Sequence, residues 1–170
     1  MSEGFNLFKK NYVAFIIATL IAAFGSIFII TIPPLWFGIY VMASKATRGE
    51  DVEIADVFKG FDYFFVSWVM FIVGGIAILF GLIFFVIPGL LLMILFQYAI
   101  PIAISERESG VDALKKSYNI GKANLEFTII LGIILWVFNA IGSSLTVGWL
   151  ITAPFVIICL TIATQKLTAE

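Results

Sequence analysis

The sequence predicts an all-α integral membrane protein: six transmembrane helices folded as three helical hairpins, with cytoplasmic amphipathic helices between the hairpins. Three observations carry that expectation. First, 62% of the 170 residues are hydrophobic and 12% are charged, with eighteen Phe and a mean hydropathy of +1.12. A soluble domain of this length cannot cover so much apolar side chain with so few charges. Second, the uncharged runs Asn11–Ser44, Tyr63–Ser105 and Phe127–Gln165 are each too long for one span. The middle run has 43 residues and would reach about 65 Å as a straight helix, against a hydrocarbon core of about 30 Å. Third, all ten Lys and Arg fall in 9–10, 45–59, 107–122 and at 166, and the expected turns hold none. Three hairpins put every basic segment on one face, which the positive-inside bias makes cytoplasmic, whereas three single spans would alternate them.

Residues 1–10 carry Phe5, Phe8 and, just beyond, Tyr12 at helical spacing, with Lys9-Lys10 before the first apolar run. That run exceeds a signal-peptide core and is closed by no small-x-small site, so a retained first span is expected. The first hairpin, 11–47, breaks at Ile32-Pro33-Pro34 into helices near 11–31 and 35–47. The second of these is short, so Lys45 and Arg48 must snorkel toward the headgroups. Ala14, Ala18, Ala22 and Ser26 recur every fourth residue, a small-residue face that lets helices approach closely in lipid. Segment 48–62 places Ile54, Val57, Phe58, Phe61 and Phe65 at helical spacing, with Glu50, Asp51, Glu53, Asp56, Lys59 and Asp62 between them. This reads as an acidic amphipathic helix.

The second hairpin, 63–105, breaks at Pro88-Gly89, because Pro lacks an N–H and Gly suits a helix end. Pro101 is expected to kink its second helix near the inner end. Segment 111–125 is a second amphipathic helix, basic through Lys115, Lys116 and Lys122, with Ser109 and Asp112 at capping-box spacing. The third hairpin, 127–165, breaks between Gly142 and Gly148, and Pro154 is expected to kink its last helix. The whole forms one polytopic domain, 1–170. Its three units share a polar lead-in, a long helix, a turn and a shorter helix. Descent from a parallel repeat and convergence under hairpin constraints both fit.

Little chemistry is visible. The net charge of −1 argues against nucleic acid as a partner. Cys159 is single and His is absent, which leaves no disulfide framework, no thiolate cage and no common general base. No phosphate loop, metal cluster or nucleophile–base pair stands out, so no cofactor, catalytic residue or metal site is expected. Glu106, Glu108 and Asp112 gather near one interface, as a cation site or as solvated loop charge. Gln97 and Asn139 are the polar side chains deepest in their helices. They serve either as interhelical hydrogen bonds or, with Ser143 and Ser144, as the lining of a polar pocket. Trp36, Trp68 and Trp149 suit interfacial belts.

The positions Ile87-Pro88-Gly89, Pro101, Glu106, Gly110, Ala113-Leu114, Ser117, Lys122 and Asn124 resemble the IPG…P…E…G…AL-x-x-S…N pattern of a prokaryotic multi-span family. That family is related to the glycerophosphodiester phosphodiesterase membrane domain. The resemblance covers 87–124 and implies a six-span fold; the catalytic domain that gives the family its name has no counterpart here. The expectation is a non-enzymatic membrane protein of the cell membrane, multi-pass with both termini cytoplasmic. It would act in the lipid bilayer as an oligomeric scaffold, accessory or membrane-shaping protein, in a homo-oligomer or beside a membrane partner protein. The alternative is a channel or carrier for a small neutral or lipidic substrate.

Overall fold

The computed structural model describes residues 2–25, 28–144 and 148–169. These residues form eight α-helices: α1 (Ser2–Gly25), α2 (Ile32–Thr47), α3 (Phe64–Phe84), α4 (Val86–Leu95), α5 (Ala99–Ser105), α6 (Gly110–Ala123), α7 (Leu125–Ser144) and α8 (Trp149–Ala169). A short 3-10 turn precedes α2, and a ten-residue 3-10 helix, Ile54–Tyr63, precedes α3. No strand occurs among the described residues. Six segments are long and apolar enough to cross a membrane: Glu3–Gly25, Ile29–Thr47, Ile54–Phe84, Val86–Ser105, Leu125–Ser144 and Trp149–Ala169.

Four of the five prolines sit at helix starts rather than helix ends. Pro33 and Pro34 lie in the first turn of α2, and Pro88 lies in the first turn of α4. There the missing N–H has no intrahelical acceptor to lose and the fixed φ suits a helix. The second break therefore falls at the extended Phe85, before Pro88-Gly89 and not at it. Gly89 serves contact instead: it is buried, and a Cβ on the facing Gly81 would lie 2.9 Å from its Cα. Pro101 does interrupt its helix, since the backbone turns at Phe96–Tyr98 and restarts as α5. By contrast, α8 is continuous through Pro154. Helix α1 begins earlier than expected and changes direction at Asn11, whose backbone is non-helical.

Segment 48–62 differs most from its expected form. At the end of α2, Gly49 takes a left-handed conformation (φ 76°). Its N–H reaches Ala46 O, and the Glu50 N–H reaches Lys45 O, the paired bonds of a Schellman stop. The chain restarts only at Ile54, as a 3-10 helix, whose period of three rather than 3.6 changes which residues share a face. Val57 and Gly60 turn inward with Asp56, while Phe58 and Phe61 remain exposed. This helix packs along α2 rather than standing apart from it. A Cβ on Gly38 would overlap Val57 O, and one on Gly60 would overlap Pro34 O. The start of α3 is thereby carried to the α1–α2 turn, where the Trp68 indole donates to Ile30 O at 3.1 Å.

The core draws on α1, α2, α5 and α8, with Phe15, Ile39, Met42, Ile102 and Ile158 fully buried. Phe8 meets Phe155 edge-on at 6.4 Å, and Phe138 stacks on Phe155 at 4.9 Å. Ala18 and Ala22 are fully buried and Ala14 is half-buried, while Ser26 lies outside the described residues. Glycines mark most helix contacts: Gly4 against Cys159, Gly25 against Leu35, Gly110 against Val66 and Met70, Gly121 against Leu95, and Gly142 against Thr152. At Gly110 and Gly121 the missing side chain lets two backbones close in, and at Gly4, Gly25 and Gly142 it makes room for a neighbour's side chain, so that dispersion contact replaces the hydrophobic drive that lipid cannot supply.

Candidate functional site

Three polar or concave features stand out among the described residues. The first is Asp56, whose side chain is 2% exposed. Its Oδ2 accepts from Lys45 Nζ at 2.7 Å and from the Glu53 N–H at 2.9 Å. Its Oδ1 meets Lys59 Nζ at 2.6 Å. Lys45, 17% exposed, thus finds a carboxylate on the neighbouring segment. A buried carboxylate is tolerable when its lone pairs are filled in this way. The sequence pattern placed Asp56 on a solvated face; the 3-10 period turns it against α2. Just outside, the Arg48 guanidinium hydrogen-bonds the exposed Glu50 and holds its carboxyl below the ordinary range.

The second feature fills the α4–α5 break. Gln97 Nε2 donates to Thr128 O at 3.0 Å, and the Tyr98 hydroxyl bonds Thr128 Oγ1 at 3.2 Å. Ser117 Oγ donates to Leu95 O at 2.7 Å. Tyr98, Ser117 and Thr128 are fully buried. The break frees backbone acceptors in an apolar setting; Ser117 of α6 answers the one at Leu95, while Gln97 and Tyr98 of the turn reach across to Thr128 of α7.

Gln97 and Asn139 do not meet. Gln97 lies against Gly132 of α7, and Asn139 is seven residues further along, about 10 Å. Asn139 is exposed and accepts from Thr152 Oγ1 at 3.4 Å. Ser143 is exposed, and Ser144 bonds Ile141 O of its own helix. Glu106 pairs with Lys116, and Asp112 with Ser109 and Lys115. No cluster of three or more metal-ligating side chains occurs among the described residues.

The third feature, which the sequence did not suggest, is a groove of about 780 Å³ between α2, α3, α5 and the Leu114 turn of α6. Ile32, Trp36, Tyr40, Trp68, Phe71, Gly75 and Ile100 contribute to its walls. Its size and apolar character suit a small hydrophobic ligand. Two of the tryptophans expected at interfacial belts, Trp36 and Trp68, line it; Trp136 is 73% exposed on α7.

The positions behind the family resemblance mostly hold helices together. Pro101 sets the α4–α5 break, Gly110 and Gly89 allow close contact, and Ser117 answers Leu95 O. Asn124 Nδ2 bonds Ile120 O at the end of α6, and Glu106 ties the loop before α6 to Lys116. The sequence matches no known protein family, no curated protein and no solved structure.

Proposed function

We propose that this chain is a non-enzymatic polytopic membrane protein that acts as an oligomeric scaffold or accessory subunit. Both termini face the cytoplasm, and six apolar segments cross the bilayer. The observation that carries this reading is the use made of the interior polar groups. Gln97, Tyr98, Ser117, Thr128, Lys45 and Asp56 are all engaged in contacts between helices, which leaves a helix framework and no polar passage through them. Broad apolar surface stands outside that framework: Phe65 is 82% exposed, Ile87 79% and Ile83 77%. In lipid such surface is available to another helix as readily as to acyl chains. The likeness of residues 87–124 to the multi-span family related to the glycerophosphodiester phosphodiesterase membrane domain is proposed on the same footing, as a shared helix framework without the phosphodiesterase.

Single-molecule subunit counting in lipid nanodiscs over a range of protein-to-lipid ratios tests the scaffold. Defined oligomers, or stoichiometric capture of one membrane partner in native-lipid particles, are expected. A strict monomer under both conditions rejects it. The second reading, a carrier, is favoured by the apolar groove only in its lipidic form. Proteoliposomes that show no flux of small neutral solutes agree with both; a flux abolished by Gln97→Leu restores a polar pathway.

A further inference from the structure

Two residues that line the groove carry hydrogen-bond donors that the protein does not use. Tyr40 and Trp36 lie one turn apart on α2 and both line it. Neither the phenol O–H nor the indole N–H has a hydrogen-bond partner among the described residues, and neither is sealed away from a ligand. The other polar side chains of the wall are engaged, Ser67 with Phe64 O and Trp68 with Ile30 O. A donor facing hydrocarbon without an acceptor is costly, and an alkyl chain offers none. The acceptor that a membrane supplies at the top of an acyl chain is the ester carbonyl.

Depth agrees. Tyr40 stands seven residues from Thr47, about 10 Å along the helix, toward the end that carries Lys45, Arg48, Glu50 and Asp51. That is a short distance below the headgroups. Apart from Trp36, Tyr40, Ser67 and Trp68 the walls are apolar. Gly75 keeps space open on the α3 side, since a Cβ there would touch nothing within 4 Å. We propose that this groove binds one acyl chain of a membrane glycerolipid, whose ester carbonyl accepts from the Tyr40 hydroxyl, with the Trp36 indole as the neighbouring donor. The proposal rests on the membrane placement and is independent of the scaffold, because it concerns a single chain.

Fluorescence quenching tests it on the full chain, with Trp136 and Trp149 replaced by Phe so that only Trp36 and Trp68 report. In phosphatidylcholine vesicles doped with phosphatidylcholine bearing brominated acyl chains, quenching should exceed that of a companion protein that keeps only the exposed Trp136. Gly75→Leu, whose Cβ meets no atom within 4 Å, projects into the groove and should lower the excess to the companion's level; Gly75→Val serves if the larger plug disturbs folding. Tyr40→Phe should weaken the preference about two- to tenfold, the worth of one hydrogen bond. An ether-linked lipid with the same brominated chains should bind wild type as weakly as the ester lipid binds Tyr40→Phe. Quenching unchanged by both plugs overturns the site. Equal behaviour of ester and ether lipids on wild type overturns the carbonyl contact, and the proposal with it.

Discussion

At the scale of single residues, Asp56 is the position on which most depends. Removing one partner of a buried ion pair leaves the other uncompensated, so Asp56→Ala should cost about 3–5 kcal/mol. The apolar pair Lys45→Met with Asp56→Leu should cost much less, because nothing charged is then left against α2; Lys59, 55% exposed, can turn outward. Reversible unfolding in mixed micelles compares the two, and a double variant less stable than Asp56→Ala would show that the charges do more than satisfy each other. Gln97→Leu and Ser117→Ala should each lose at most about 2 kcal/mol in the same assay, the upper range for interhelical hydrogen bonds in lipid. Larger losses would mark their node as the folding core. Asp56 was not legible in the sequence because 3.6-residue periodicity assigns it to the polar face. Gln97 was, since a lone amide deep in an apolar run must find a partner, and Thr128 O provides it.

At the scale of elements, the packing depends on small residues whose value is context. Gly60→Ala and Gly38→Ala should both push the 3-10 helix off α2 and destabilise the protein by more than the usual core overpacking of about 1–3 kcal/mol, because the obstacle is backbone. Gly75→Ala, with open space around it, should instead stabilise α3 by about 0.5–1 kcal/mol. Thermal unfolding of the three variants decides whether the glycine contacts are as tight as described; equal effects would refute the distinction. Ala18→Leu and Ala22→Leu should also destabilise, since both alanines are fully buried. The sequence revealed that stripe because alanines at every fourth position form a visible period. The glycines at Gly38, Gly60, Gly110 and Gly142 share no period, because each answers a different neighbour, and only the folded chain reveals them. Proline located the helix breaks to within a few residues and misassigned their side: Pro88 opens α4 and does not close α3.

At the scale of the whole molecule, composition and run length led directly to six segments long and apolar enough to cross a membrane. They do not reveal how the segments neighbour one another, since hydropathy is blind to which helix touches which. The course of the chain after α2 illustrates this: the 3-10 helix follows α2 back, and Trp68 reaches the α1–α2 turn. Topology is checked by cysteine labelling in a Cys159-free background. Cysteines at Ser109 and Thr168 should react only from the cytoplasmic side and one at Ser144 only from the other. Opposite labelling of Ser109 and Thr168 would require a different number of crossings between α5 and α8.

The ten residues from Ile54 to Tyr63 also bear on biogenesis. They carry Asp56, Lys59 and Asp62, and each such charge resists insertion by about 2.5–3.5 kcal/mol at mid-bilayer. The segment therefore has no route into lipid by itself. It needs Lys45 and the bare backbone at Gly38 as a docking template, and α2 leaves the ribosome only about a second before it, at about 5–20 residues per second. Lys45 variants should accordingly fail during synthesis, as products retained at the insertion machinery, more severely than their loss of stability after purification would suggest.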